Sequence, residues 1–343
     1  MKRTASLILL LAMLMLTGCA AQEMPEATAA PTAAQAVKRS QVGFYFDTVV
    51  TVTLYDGETG LMDEIMAACD RYEKLLSKTI AGSDVDRINK AGCESVTVDA
   101  ETWEILRRAK EISQMTDGAF AVTIAPLSAM WDFTGGTQRM PTDEQRLSAL
   151  PLVDDSAIIL GEGNTVTLPE GAQIDLGGIA KGYIADKVAE LVQGRASGAV
   201  LSLGGNVYVL GHKPDGTVFN VGIQDPHGPS PIASVSVTDI SVVTSGIYER
   251  QFEKDGVTYH HILDPKTGLP SQSDLASATI VAKSSMDADA LATALIVLGR
   301  EKALQLMQEQ GIEGVLITRD RQVFMHQTNE TFQLNMLVDI PVQ

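Results

Sequence analysis

Asp289 and Thr293 are the residues from which a chemistry is most directly argued. They lie in the run Asp287-Ala-Asp-Ala-Leu-Ala-Thr293, and on a helix residues four apart share one face. A carboxylate and a hydroxyl placed so are hard oxygen ligands suited to Mg²⁺, which commonly bridges to substrate phosphates. Acidic residues at a helix start are also favoured by the helix dipole, and Asp287 fits that plainer reading. Asp289 sits deeper, between Ala288 and Ala290 in an apolar run. A carboxylate there needs a partner, which tilts the reading towards a ligand.

Three more segments carry candidate groups. In Ile174-Asp-Leu-Gly-Gly-Ile-Ala-Lys-Gly-Tyr-Ile-Ala-Asp186, paired glycines precede a helix, and a helix start with glycines before it favours an anion. Lys181 is placed to meet a phosphate as a point charge. The spacing alone favours a plain strand-to-helix turn with a surface lysine. In His260-His-Ile-Leu-Asp-Pro-Lys-Thr-Gly268, Asp264, Pro265 and Gly268 make a rigid turn. A histidine held against such a turn suits general base work on a hydroxyl; a packed structural histidine is the alternative. Thr116-Asp-Gly-Ala-Phe-Ala-Val-Thr-Ile-Ala-Pro-Leu127, with Trp131 and Phe133, offers aromatics for a planar ligand, though taken alone they read as core. Gly204-Gly205-Asn206 and Thr244-Ser245-Gly246 read first as tight backbone sites.

The elements that must position these groups follow from periodicity. Phe44–Tyr55 reads as one strand, rich in Val and Thr. Apolar residues from Leu61 to Leu76 and from Trp103 to Met115 recur at helical spacing, and Asp117-Gly118 stops the second helix. A short strand at Ile174–Leu176 is expected to run into the glycines, with a helix over Ala180–Val192. Ala199–Leu210 and Ile232–Ile247 are strand-rich. Ala276–Ala282 reads as a strand, Asp287–Leu298 and Ala303–Gln310 as helices, and Val315–Thr318 with Gln322–His326 as a hairpin. Strands and helices alternate without a strict rhythm, which predicts an α+β fold rather than a doubly wound parallel sheet.

Composition bounds the rest. The 343 residues are 45 % hydrophobic and 20 % charged, with a formal charge of −17; an acidic chain without a basic patch is a poor partner for nucleic acid. Three cysteines, Cys19, Cys69 and Cys93, are too few for a disulfide scaffold. Lys2 and Arg3, an apolar stretch over 5–16 and Leu16-Thr17-Gly18-Cys19 resemble a bacterial lipoprotein signal, cleaved after residue 18 and lipidated on Cys19. The apolar stretch is shorter than the ~20 residues a spanning helix needs. Residues 19–40, rich in Ala with Pro25 and Pro31, read as the lipidated cysteine and a flexible tether. The folded domain is expected over 41–343.

Taken together, Asp175-Leu-Gly-Gly-Ile-Ala-Lys-Gly-Tyr183, His261-Ile-Leu-Asp-Pro-Lys-Thr-Gly268 and Ala288-Asp-Ala-Leu-Ala-Thr293 resemble the ApbE family, the FAD:protein FMN transferases. Supporting matches in the same order are Arg87-Ile-Asn89, Gly118-Ala-Phe120, Leu203-Gly-Gly205 and Thr244-Ser-Gly246 with Tyr248. The chain departs from the family's common pattern at Phe46-Asp47-Thr48, where Met-Gly-Thr is frequent, at Ala121, where aspartate is frequent, and at Thr79, where an aromatic is common. The resemblance implies a T-fold-related α+β domain with mixed and antiparallel sheets and packed helices. It implies FAD as donor substrate and Mg²⁺ as metal, held by the backbone oxygen of Ala180 and the side chains of Asp289 and Thr293. The flavin site would draw on Phe46, Ala119, Phe120, Ala121, Gly177, Lys181 and His261. His261 would be the base that lets a threonine or serine of an acceptor attack FAD, releasing AMP. The acceptor would be a flavoprotein subunit of a membrane redox complex or an exported flavoprotein, reached by an extracytoplasmic enzyme anchored to the membrane through Cys19. An FAD pyrophosphatase on the same site and a non-catalytic flavin-binding lipoprotein are the alternatives, and a generic solute-binding lipoprotein is a fourth reading that needs no Mg²⁺.

Overall fold

A computed structural model describes residues 36–134 and 136–343. The signal segment 1–18, Cys19 and the tether as far as residue 35 lie outside the described residues. Ala36–Gln343 forms one compact unit. Its first strand, Lys38–Tyr45, begins within the stretch read as tether.

The frame is an eight-stranded sheet in the spatial order Lys38–Tyr45, Thr48–Tyr55, Gly198–Leu203, Asn206–Gly211, Ile240–Gly246, Leu275–Ala282, Gly314–Thr318 and Val323–His326. Every neighbouring pair is antiparallel. Alternation within the strands divides two cores. Val50, Val52 and Leu54 face helices Leu61–Leu76, Ala100–Met115, Ala180–Val192 and Ser285–Leu298. Val209, Ile240 and Val242 face a three-stranded antiparallel sheet made of Gln333–Met336, Pro231–Val237 and Phe219–Gln224. Leu275–Ala282 is covered on both sides and is almost wholly buried, which is why it carries no charged residue and only the small polar Ser277 and Thr279 among its apolar ones. The α+β expectation with antiparallel sheets holds.

Two expected strands differ from the reading. Phe44–Tyr55 is a hairpin, turning at Phe46 and Asp47, both in the left-handed region (φ 57° and 55°). A type I′ hairpin turn demands positive φ at both central positions; without Gly or Asn there, the sequence gives no turn signal. Ile174–Leu176 is not a strand. The Asn89 side chain takes both backbone groups of Ile174, its Oδ1 accepting from Ile174 N at 2.7 Å and its Nδ2 donating to Ile174 O at 2.9 Å. A side-chain amide thus replaces a neighbouring strand. The expected helices are all found; those read from Trp103, Asp287 and Ala303 begin earlier, at Ala100, Ser285 and Arg300.

Gly182 sets the spacing of the two helices that carry the candidate site. A Cβ there would lie 2.2 Å from Ser285 O and 2.7 Å from Met286 Cα, so only glycine allows the close approach. Asp186, three residues from Tyr183, secures the same crossing by accepting from Ser285 N at 2.7 Å and Met286 N at 2.9 Å. Burial, offset in part by these two donors, pushes its carboxyl up to about 6. Helix propensity alone would make Gly182→Ala stabilising by ~1 kcal/mol; overpacking against backbone is expected to destabilise by about 1–3 kcal/mol net. Urea denaturation decides between the two signs, and an unchanged or raised midpoint would remove Gly182 from this role.

Candidate active site

Three turns meet at one end of the large sheet: Phe46-Asp47, Gly204-Gly205, and the segment after Gly246. Their contact is direct. A Cβ on Gly204 would overlap the Thr48 side chain, and one on Gly205 would come 3.1 Å from Thr244 O and 3.4 Å from Glu249 Oε1. Both glycines have positive φ (54° and 95°). The same end receives the first turn of helix Ala180–Val192 and the second turn of helix Ser285–Leu298.

Asp289 is 3 % exposed and has the partners its burial requires. Oδ2 accepts from Gly182 N at 3.0 Å, and the Lys181 ammonium lies 3.3 Å and 3.5 Å from the two carboxylate oxygens. Lys181 Nζ also donates to Gly177 O at 3.1 Å. Thr293 donates to Asp289 O and stands 3.3 Å from the Ser245 hydroxyl. Ala180 is buried at the head of its helix, and Gly178 lies against Phe120 and Thr293. The structure therefore brings Gly177, Ala180, Lys181, Asp289 and Thr293 together. Asp287 instead forms a two-point ion pair with Arg108 at 2.7 Å and 2.9 Å, in keeping with its plainer reading.

The two histidines part company. His260 is buried with Nε2 3.0 Å from Ser271 O, a structural role. His261 N donates to Arg250 O at 3.0 Å, and its Nδ1 is buried with no protein partner. Burial, reinforced by the charges of Arg250, His260 and Lys181, pulls the His261 imidazole down to about 4, so it is neutral and able to accept a proton near pH 7. Arg250 also donates to Asp47 O at 3.2 Å, tying the Phe46 turn to the histidine. Phe46 N in turn donates to Glu73 Oε1 at 2.9 Å.

Ala119 and Phe120 are buried, and Ala121 lines a cleft of about 320 Å³ that Gly118 and Asp155 share with Pro265 and Lys266 of the Asp264–Gly268 turn. That turn has the expected chemistry: Asp264 Oδ1 accepts from Lys266 N, Asp264 O from Gly268 N, and Gly268 has φ 70°. Asp155 anchors the opposite wall, accepting from Val122 N, Thr123 N and the Thr123 hydroxyl.

Sequence reasoning passed over Ser245, Glu249, Arg250 and Asp155. Thr244-Ser245-Gly246 was a signal, read only as a backbone site. Glu249 is an exposed residue whose carboxyl faces Lys181 and Asp289.

Among the described residues no cluster of three or more His, Cys, Asp or Glu is arranged to hold a metal. The oxygen set at Asp289 is of another kind, one carboxylate with the hydroxyls of Thr293 and Ser245 beside it. That set suits a hard cation with several remaining positions for phosphate or water.

Comparison with known proteins places the chain. The ApbE family profile matches residues 46–316. A Treponema pallidum FAD:protein FMN transferase is 38 % identical over 282 residues, covering 76 % of this chain and 78 % of its own. A Klebsiella pneumoniae FAD:protein FMN transferase is 36 % identical, covering 80 % and 88 %. The crystal structure of the ApbE protein of Thermotoga maritima superposes with a TM-score of 0.79 at 31 % identity, over 85 % of this chain and 97 % of that one. The flavin transferase ApbE of Vibrio cholerae gives 0.76 at 26 % identity, over 88 % and 97 %. This chain belongs to the ApbE family.

Proposed function

We propose that this protein transfers FMN from FAD to a threonine or serine hydroxyl of an acceptor flavoprotein, with release of AMP. The observation that carries the reading is the meeting of Lys181, Asp289, Thr293 and Ser245 with the half-buried His261 across the Arg250 turn. Lys181 and the glycines before it receive the pyrophosphate. The cleft between Ala121 and Pro265, with Phe120 and Phe46, is assigned to the flavin end. The His261 imidazole takes the proton of the acceptor hydroxyl. The hydroxyl oxygen bonds to the FMN-side phosphorus, and the bond from that phosphorus to the bridging oxygen breaks, its electron pair leaving with AMP.

Asp289, Thr293 and the Ala180 backbone oxygen are the proposed holders of Mg²⁺. Bound there, the cation would neutralise charge on the pyrophosphate. The acceptor is proposed to be a subunit of a membrane redox complex or an exported flavoprotein. Anchoring through Cys19 on the extracytoplasmic face would concentrate the enzyme where such acceptors reside. No helix among the described residues is long and apolar enough to cross a membrane.

The test incubates residues 36–343 with FAD, Mg²⁺ and a flavoprotein fragment bearing an exposed threonine, read by intact mass. The expected result is an acceptor heavier by one FMN group, with the gain lost on chelation. Free FMN and AMP with every acceptor tried unmodified would overturn the transferase in favour of the pyrophosphatase, and FAD bound but intact would overturn catalysis.

A further inference from the structure

The Lys181 ammonium lies beside both carboxylate oxygens of Asp289. Its Nζ is 3.3 Å from Oδ1 and 3.5 Å from Oδ2, and 3.1 Å from Gly177 O. The Asp289 side chain is 4 % exposed and that of Lys181 21 %, so water screens this pair weakly. A Mg²⁺ ion bonds a carboxylate oxygen at ~2.0–2.1 Å. Placed on Asp289, it would share those oxygens with an ammonium, and two like charges at such separation repel strongly. Each therefore weakens the other's hold on Asp289 in this geometry.

Lys181 has somewhere else to go. Its four-carbon stem is flexible and its head is a strongly hydrated point charge that pairs readily with phosphate. Glu249 and Lys181 also interact through their charges. Gly182 N, which donates to Asp289 Oδ2, belongs to the fixed helix and stays when Lys181 leaves, so the carboxylate keeps its orientation.

We infer that Lys181 is an internal counter-ion that makes cation binding conditional on the dinucleotide: the pyrophosphate draws the ammonium away from Asp289, and only then is the carboxylate free to take a divalent ion. The inference rests on the reading of Asp289 as a cation ligand. Affinities of the two ligands are then linked, each raising the other by the same factor. Without the dinucleotide the charge of Asp289 is already met, and the site does not collect free cations.

The experiment measures Mn²⁺ binding by calorimetry and by electron paramagnetic resonance at pH 8, on wild-type protein and on Lys181→Met, Lys181→Gln and Asp289→Asn, with thermal melts to establish folding. No nucleotide is present in the first series. Lys181→Met is expected to bind Mn²⁺ at least tenfold more tightly than wild type, with Lys181→Gln standing in should the Met variant fail to fold. Addition of ADP, which carries the pyrophosphate without the flavin, is expected to raise Mn²⁺ affinity more in wild type than in the Lys181 variant. Equal Mn²⁺ affinities for wild type and both Lys181 variants, with binding abolished by Asp289→Asn, would overturn the counter-ion alone. Mn²⁺ binding undiminished in Asp289→Asn would overturn the metal reading on which it rests.

Discussion

Asp289→Asn is expected to lower the rate of FMN transfer by on the order of 10³-fold, equivalent to ~4 kcal/mol of transition-state stabilisation. The substitution keeps the shape of the side chain and an oxygen able to accept from Gly182 N, so the crossing of the two helices is retained. What it removes is the one anionic group of the proposed cation site; Thr293 and Ser245 are neutral. FAD affinity should change much less than the rate, because the cleft proposed for the flavin is lined by Ala121 and Pro265 and not by Asp289. Intact-mass assays at saturating Mg²⁺ check the rate, and quenching of flavin fluorescence checks binding. Transfer at the wild-type rate under limiting Mg²⁺ would remove the metal assignment.

That Asp289 stands out in the sequence has a physical cause. An ionised carboxylate in a run of alanines and leucines must be paired, and the structure shows the pairing with Lys181 and Gly182. The helices were legible for a related reason: Leu61–Leu76 and Ala100–Met115 each bury one stripe, so the 3.6-residue period is written in the residue types, while Ser285–Leu298 is buried on most sides and reads as an apolar run. Where burial does not alternate, or where a side chain takes over a backbone role, the pattern fails. Asn89 imitates a strand for Ile174 from 85 residues away, and nothing local to Ile174 records it. Phe46 and Asp47 turn the chain under strain that residue type conceals. Strand Gln333–Met336 has no fully buried residue and carries little apolar signal, whereas Phe219–Gln224 alternates Phe219, Val221 and Ile223 with polar residues or glycine, a period-2 signal left unused in the sequence reading. Ser245 and Glu249 become site residues only because three separate turns meet at one sheet end. The site's ligands could thus be read from local chemistry, but its neighbours required the fold.

His261→Ala should slow transfer by about 10³-fold, within the 10²–10⁴ that a positioned general base contributes, while leaving FAD affinity within a few-fold. The pH dependence separates a base from a packing residue. Burial and the neighbouring charges of Arg250, His260 and Lys181 hold the imidazole near 4 rather than 6.5, so the proton-accepting form persists well below neutrality. For kcat/KM, which reports groups of the free enzyme, the limb due to this histidine should therefore lie near pH 4, leaving the profile flat through pH 5.5. An unperturbed histidine would already have lost about nine-tenths of its neutral form there. The same shift acts on stability. With a folded value below the unfolded one, the unfolded chain binds the extra proton first, so this contribution is complete above about pH 6.5 and is lost as pH falls towards 4. His260, also held near 4 chiefly by burial, adds in the same direction. Rates at acid pH must accordingly be taken alongside circular dichroism, so that loss of base and loss of fold are told apart. A rate limb at pH 6.5 in protein that remains folded, or wild-type transfer by His261→Ala, would refute the assignment.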